Sequence, residues 1–372
     1  MPKQRTLRAV LCVGILTCAA AFLLAEVCVR WFSAYGYVTP EIMRARSLQY
    51  SGAVLARHIF PQREQFVVGL NGAKFHINSE GYRGRAFAVA KPQGTTRVII
   101  YGGSSVFDTG ASDPGDWPHL VEQFLHEMGF SNIEVINAGV PGHASFDVVG
   151  RLLGEGHRFA PDYVLFYGAW NDIKYFRSAE PVLRQLKPYD ERADPRLNYQ
   201  GPLDRLLTGH SQLFMRLRSN YYNWRLGAGL EGARPTADYA SRIEPLAVKQ
   251  YEIDVRAFAD VGRDIGAVPV LMTEARVVAR DNAEAHRSLI DYDMQRLTHE
   301  ALCDAFEATD KVIWGVARDK NVPVIDAAAQ LTGRLELFSD HVHTTAKGSE
   351  ELARITADGM ARLLRSRSTS TR

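Results

Sequence analysis

Hydrophobic and polar positions follow two different periods along most of the chain. From residue 95 onward, apolar runs of about five residues alternate with longer segments in which apolar residues recur every three or four positions. The short runs predict buried strands, and the recurring positions predict amphipathic helices. The strands are predicted at 97–101, 133–136, 163–167, 268–272 and 322–325, and the helices at 117–128, 146–157, 247–263, 285–319 and 345–364. This alternation predicts a parallel α/β sheet of about five strands with helices on both faces.

The first thirty residues have a different pattern. Three basic residues, Lys3, Arg5 and Arg8, precede an apolar stretch that is interrupted only by Glu26. Residues 9–29 as a helix would measure about 31 Å, which is one hydrocarbon thickness. We therefore predict a cytoplasmic start at 1–8, a transmembrane signal-anchor helix at 9–29, and an extracytoplasmic chain from 31 onward, in the periplasm or at the cell surface. A cleavable signal peptide is the alternative, because the alanines at 19–21 offer a small-residue cleavage site.

Two further segments complete the predicted organisation. Residues 30–94 form a linking segment with short strands, one of them in 76–84, where glycines mark a turn. The α/β domain with the five predicted strands covers 95–366 and contains an insertion at 174–245. This insertion holds nine aromatic residues, 12 basic and 8 acidic residues, and little strand character. Its place after the third strand makes it a candidate lid or substrate wall, and a subdomain that packs its own aromatics is the alternative.

Charge and cysteine content exclude two classes of protein. The chain has 44 basic and 42 acidic residues, and the first 30 residues hold four and one of these. The remainder is thus nearly neutral, so nucleic acid is not an expected partner. Three of the four cysteines (Cys12, Cys18 and Cys28) lie in the predicted anchor, and Cys303 alone lies beyond it. A disulfide-stabilised fold is therefore excluded.

Residues typical of acyl transfer follow the predicted strands. Ser104 follows the first strand, Gly142 the second and Asn171 the third, while Asp340 and His343 come after the fifth. In a parallel sheet these positions meet at the carboxyl edge, where ligands bind. A serine nucleophile needs a base, the base needs an acid to orient it, and the oxyanion needs preorganised donors.

These blocks resemble those of the SGNH (GDSL-type) hydrolase superfamily in order and spacing, over residues 95–364. The resemblance implies a three-layer α/β/α sandwich with a flavodoxin-like sheet. It also implies a catalytic triad of Ser104, Asp340 and His343, with the Ser104 and Gly142 backbone and the Asn171 side chain as oxyanion donors. The start of the chain, with its apolar run and Glu26, is similar to that of membrane-anchored bacterial members.

The chain departs from the family pattern at two blocks. The usual Gly-Asp-Ser-Leu reads Gly-Gly-Ser-Ser at 102–105, so Ser105 is a rival for the nucleophile. In the third block Ala169 stands where glycine is common, and Trp170 precedes Asn171. Neither departure removes a catalytic group, but the second puts the shape of the substrate site in question.

The function predicted from these residues is hydrolysis of an acyl or acetyl ester outside the cytoplasm, with no cofactor and no metal. Asp340, His343 and the neighbouring His341 leave a metal site as an alternative, although no H-E-x-x-H or paired C-x-x-C accompanies them. A second alternative is an O-acyltransferase or deacetylase that uses the same residues on a cell-envelope polysaccharide. A third is a non-catalytic envelope binding protein on the same scaffold.

Overall fold

The computed structural model describes residues 2–32, 65–68, 73–185, 199–231 and 239–370. The strands are β1 Gln65–Val68, β2 Lys74–Ile77, β3 Thr96–Gly102, β4 Ile133–Gly139, β5 Tyr163–Tyr167, β6 Val268–Thr273 and β7 Val324–Asp326. The helices are α1 Pro2–Phe32, α2 Ser104–Phe107, α3 Trp117–Glu127, α4 Ser145–Glu155, α5 Trp170–Ile173, α6 Val182–Gln185, α7 Pro202–His210, α8 Gln212–Glu231, α9 Pro245–Asp264, α10 Glu284–Arg287, α11 Tyr292–Gln295, α12 His299–Lys320, α13 Ala328–Leu331 and α14 Ala346–Ser370. Two 3-10 turns lie at Gly156–Phe159 and Leu335–Leu337.

Strands β3 to β7 form a parallel five-stranded sheet in the order β4-β3-β5-β6-β7. This confirms the predicted sheet, and its order is that of flavodoxin-like folds. The strand order reverses between β3 and β5: the chain adds β4 on one side of β3 and then adds β5, β6 and β7 on the other side. Gly102 at the end of β3 pairs with Tyr167 at the end of β5. The ends of these two strands therefore flank the topological switch point, the usual ligand site of such a sheet.

Helices cover both faces of the sheet. Helices α3 and α14 pack together on one face, and α4, α9 and α12 pack in series on the other. The strands are buried throughout their centres, as the predicted apolar runs require. The segment predicted as largely helical at 285–319 consists of two single turns and the long helix α12. The break occurs because Arg296 adopts a left-handed φ of 51° and the Thr298 hydroxyl then caps α12.

The predicted strand and turn at 76–84 are present. Strand β2 pairs with β1 in antiparallel fashion, and Arg83 bridges from the following turn to Asn137 of β4. Residues 30–32 of the predicted linking segment are the end of α1, and residues 33–64 lie outside the described residues, as do 69–72 between the two strands.

The chain divides into two compact units. One contains residues 48–69, 73–189 and 235–372, with the five-stranded sheet, and the other contains 1–47, 70–72 and 190–234, with α1, α7 and α8. The central part of the aromatic insertion thus belongs to the unit of the N-terminal helix, and its role as a lid stays a prediction. Among the helices that the structure describes, none is both long enough and apolar enough to cross a membrane.

Candidate active site

Ser104 lies on the tight connection between β3 and α2. Gly102 and Gly103 end the strand, and Ser104 is the first residue of the four-residue helix. A first helical residue has no partner for its backbone N–H within the helix, so this donor remains available. Gly103 is required here because a Cβ at that position would lie 2.7 Å from the Asn171 amide nitrogen and 3.0 Å from the His143 carbonyl oxygen. The glycine at position 103 thus lets the Asn171 block approach the serine.

The structure brings Ser104, His343 and Asp340 together in one relay. The Ser104 Oγ lies 2.7 Å from His343 Nε2, and His343 Nδ1 lies 2.7 Å from Asp340 Oδ2. A carboxylate only accepts, so the imidazole proton is on Nδ1 and Nε2 is free to accept from the serine. This is the tautomer that a general base needs.

The spacing of three between Asp340 and His343 has a local structural cause. Asp340 Oδ1 accepts the backbone N–H groups of Val342 (3.0 Å) and His343 (2.9 Å), so the carboxylate closes the turn that presents the imidazole. Burial alone would raise the pKa of Asp340. The hydrogen bond from His343, and the positive charge of this imidazole when it is protonated, outweigh burial and hold this pKa well below its ordinary value. Asp340 is therefore ionised and orients His343 at neutral pH.

The candidate oxyanion donors stand beside the serine. One N–H of the Asn171 amide donates to the carbonyl oxygen of His143 at 3.0 Å, which leaves the second N–H of the amide for another acceptor. Gly142 directly precedes His143 and has a φ of 86°, a conformation that favours glycine. The shared carbonyl of His143 links the block of Gly142 to that of Asn171.

Glu274, which was not among the predicted site residues, joins the blocks of Ser104 and Asn171. It is buried directly after β6, where Oε1 accepts from the Ser105 hydroxyl at 3.0 Å. Its Oε2 accepts the backbone N–H groups of Ala169 (2.9 Å) and Trp170 (2.7 Å), and burial raises the pKa of the carboxyl group. An acidic residue at the end of the fourth predicted strand was the available signal. Since the Ser105 hydroxyl is engaged here, Ser104 alone faces His343.

A second missed feature is a buried carboxyl pair behind Asn171. The Ser145 Oγ lies 2.6 Å from Asp172 Oδ1 and 2.9 Å from Asp254 Oδ2. A hydroxyl has one proton to donate, so one of these carboxyl groups must be protonated and donate to the Oγ. Burial, followed by the charge of Asp254, raises the pKa of Asp172 to about 8, and burial raises that of Asp254 to about 6. Asp172 is therefore the group that holds the proton.

His341 lies beside the His343 ring of the relay. Its ring stacks on Trp170 with centroids 3.8 Å apart, and burial lowers its pKa to about 4, so the imidazole is neutral. Asp340, His341 and His343 offer ligand atoms within 4.8 Å of one another. A metal ion at this cluster would compete with the relay, because both nitrogens of His343 are engaged with Asp340 and Ser104.

A doubly covered parallel sheet with a Ser-His-Asp relay at its carboxyl edge is the arrangement of a serine hydrolase. The sequence matches no protein-family model, and a search of curated proteins finds no match. Among solved structures, the chain is similar to a lipolytic protein of the G-D-S-L family from Desulfitobacterium hafniense DCB-2, with 11% identity and a TM-score of 0.41, over 71% of this chain and 99% of that one. An acetylxylan esterase from Geobacillus stearothermophilus has 15% identity and a TM-score of 0.41, over 71% and 93%. The lipase/acylhydrolase from Enterococcus faecalis has 17% identity and a TM-score of 0.41, over 71% and 94%.

Proposed function

We propose that this chain is a serine ester hydrolase of the SGNH (GDSL) type that removes an acyl or acetyl group from an alcohol. The observation that carries the proposal is the continuous relay from Asp340 through His343 to the Ser104 Oγ, with 2.7 Å at each step. The available amide N–H of Asn171 and the first N–H of α2 supply the donors that the reaction needs.

In the first step, the Ser104 Oγ attacks the ester carbonyl carbon while its proton moves to His343 Nε2. The carbonyl oxygen becomes an oxyanion that the backbone N–H groups of Ser104 and Gly142 and the amide of Asn171 stabilise. The bond between carbon and the alcohol oxygen then breaks, and His343 returns the proton to the leaving alkoxide. Asp340 stays ionised and stabilises the imidazolium that forms between these two transfers.

In the second step, water attacks the acyl-Ser104 ester. His343 Nε2 takes a proton from this water, and the tetrahedral intermediate again places its oxyanion among the same donors. Collapse of the intermediate breaks the bond to the serine Oγ, which recovers the proton from His343, and the free acid leaves. Each group ends in its starting protonation state.

The test uses the full chain and an aryl phosphonate directed at serine nucleophiles, together with hydrolysis of p-nitrophenyl acetate. Ser104→Ala should abolish labelling and lower kcat by about 10⁴-fold or more, as removal of a catalytic serine does in other hydrolases. Ser105→Ala is the matched control and should keep both, because its hydroxyl bonds to Glu274. Equal labelling of the Ser104→Ala variant would refute the assignment of the nucleophile.

Two alternatives give different results in the same assay. Acyl transfer would deliver the acyl group to an added glycan at the expense of free acid, and Ser104→Ala would remove both products. A binding protein without catalysis would leave the folded, unmutated chain unlabelled by the phosphonate. Free acid as the main product, with the label on Ser104, supports hydrolysis.

We further propose that residues 9–29 anchor the chain in a membrane and place the hydrolase outside the cytoplasm. The support is the basic start, the uncharged run before Glu26, and the exposure of large apolar side chains on α1, among them Val13, Leu16 and Leu23. The full chain should resist carbonate extraction from membranes and be digested by protease added to spheroplasts. A mature chain shortened at 19–21 would indicate a cleaved signal peptide instead.

A further inference from the structure

A carboxylate at the end of α1 holds the start of α8. Glu26 accepts the backbone N–H groups of Gln212 and Leu213 and the hydroxyl of Ser211, at 2.8 to 2.9 Å. These N–H groups belong to the first turn of α8, where a helix has unsatisfied donors and favours negative charge. Arg30 completes the contact by bonding Glu26 and the carbonyl oxygen of His210 at the end of α7. The junction between α7 and α8 is therefore bound to the last two turns of α1.

The same two helices each expose large apolar side chains. We call these side chains together the apolar face: they are Leu203 and Leu206 on α7 and Leu217, Tyr221 and Trp224 on α8. Each side chain is between 49% and 69% exposed. The three on α8 are spaced by four and three residues and so share one side of the helix, while Met215 and Arg218 are buried on the other. Exposed apolar side chains grouped in this way mark a surface that another apolar phase covers.

The charges around the apolar face are mostly positive. Residues 201–225 contain four arginines (Arg205, Arg216, Arg218 and Arg225) and one acidic residue, Asp204. Asp204 is paired with Arg218 at 2.7 Å, and Arg205 and Arg225 are exposed beside the apolar side chains of their helices. Leucine, tryptophan and tyrosine beside arginine are the composition of helices that lie in the interface of an anionic membrane.

We propose that α7 and α8 lie on the surface of an anionic bilayer, with the apolar face among the lipid headgroups. This inference rests on the proposed anchoring of residues 9–29. Glu26 is three residues before the end of that span, about 4.5 Å on its hydrocarbon side, and Arg30 directly follows the span. The junction that these two residues hold therefore lies at the boundary between the hydrocarbon and the interfacial layer, which is about 5–7 Å thick.

The experiment measures the depth of single labels in the full chain. The background replaces the four native cysteines by alanine, and retained p-nitrophenyl acetate hydrolysis checks the catalytic unit. An NBD fluorophore is placed at Trp224→Cys, with Leu206→Cys as the second site on the other helix. Trp314→Cys is the matched control, because Trp314 is a tryptophan of the catalytic unit that is 48% exposed. Leu16→Cys reports separately on the anchor.

Each labelled protein is reconstituted in nanodiscs of phosphatidylcholine and phosphatidylglycerol. A nitroxide near the top of the lipid acyl chain should quench the labels at 224 and 206 by about twofold or more, since an interfacial face lies about 5–10 Å into the headgroup boundary. Iodide in the aqueous phase should quench the label at 314 instead. Nanodiscs of phosphatidylcholine alone should give weaker lipid quenching at 224, and equal quenching would refute the role of the arginines.

The labels separate failure of this inference from failure of the anchor. Lipid quenching at 16 with iodide quenching at 224 and 206 would leave the anchor intact and overturn the interfacial surface. A lack of lipid quenching at 16 would overturn both. Labels at 224 and 206 that neither quencher reaches would show that protein, such as a second copy of the chain, covers the apolar face, and this also overturns the proposal.

Discussion

Asp340 at the edge of the sheet and Glu26 near the end of α1 are both carboxylates that accept several hydrogen bonds, but they lie in different regions of the chain. Each carboxylate accepts two backbone N–H groups and also side-chain donors, which are His343 at Asp340 and both Ser211 and Arg30 at Glu26. Asp340 takes all of its bonds from residues two and three positions away, whereas three of the four partners of Glu26 lie 185 to 187 positions along the chain. The first contact organises the turn that presents His343, the proposed general base, and the second joins two distant segments.

The bonds of Asp340 therefore position a proposed reactive group, whereas the bonds of Glu26 hold helices together. At the sheet edge, the loss of one carboxylate oxygen should change the tautomer of His343 and hence the rate of the proposed hydrolysis. At the start of α8, the same loss should change only how firmly two helices are held. Variants in the two regions should therefore affect different measurements, from very large effects on rate to small effects on local stability.

The largest effect is expected for Asp340→Asn. An amide in place of the carboxylate can donate to His343 Nδ1 and so favours the tautomer with its proton on Nε2, which cannot accept from Ser104. We expect kcat for p-nitrophenyl acetate to fall by about 10⁴-fold, as occurs when the acid of such a triad is neutralised. Steady-state kinetics measure the effect. A loss of less than tenfold would show that Asp340 does not set the tautomer.

The second-largest effect is expected for Asn171→Ala, which tests the proposed oxyanion donors. Asn171→Ala removes the amide N–H that faces the oxyanion, and we expect kcat to fall by about 10²–10³-fold with little change in KM. Ser104 should still react with the phosphonate, because the relay to His343 is intact. Comparison of kcat and KM with the labelling rate checks this. A change in KM alone would place Asn171 in substrate binding instead.

Most of the sheet edge could be predicted because Ser104 and Asn171 each follow a strand closely. Apolar runs indicate the five strands, and parallel strands bring their carboxyl ends to one edge, which places these two residues together. Asp340 and His343 are separated from β7 by α13 and a 3-10 turn, so their roles depended on the resemblance to the SGNH superfamily. The contact between Asp340 and His343 is local as well: three residues span one turn, so the two side chains can meet wherever the turn lies. The separate unit formed by α1, α7 and α8 was not predicted, because its contacts depend on pairs such as Glu26 and Ser211 that no local period reveals.

Glu274→Gln tests the contact that the sequence did not reveal within the sheet edge. A glutamine has the same volume but carries two N–H donors, so it cannot accept from Ser105 and from the Ala169 and Trp170 amides together. We expect kcat to fall by about 10- to 100-fold at nearly constant KM, because the third block shifts relative to Ser104. Ser105→Ala removes only one of these bonds and is the control. A loss of stability with unchanged kcat would make Glu274 purely structural.

The Asp172 and Asp254 pair allows a test that affects stability alone. Burial raises the pKa of Asp172 from its ordinary value to about 8, so the folded chain keeps a proton that the unfolded chain releases above about pH 4. This contribution to stability is complete below pH 4 and is lost as the pH rises to 8. Asp172→Asn resembles the protonated form, so its free energy of unfolding relative to the unmutated chain should increase between pH 5 and 9. Urea unfolding measures it, and a constant difference would contradict the assignment of the proton.

The smallest effect is expected for Glu26→Gln, which alters the carboxylate at the start of α8. The variant keeps one acceptor oxygen but loses the charge at the start of α8 and the pairing with Arg30. Capping interactions of this kind contribute about 0.5–2 kcal/mol, so hydrogen exchange at the Gln212 and Leu213 amides should become about 2- to 30-fold faster. Exchange in α9 and kcat for p-nitrophenyl acetate should not change. A fall in kcat would show that the helices held by Glu26 also act on the catalytic edge, and the separation between the two regions would be lost.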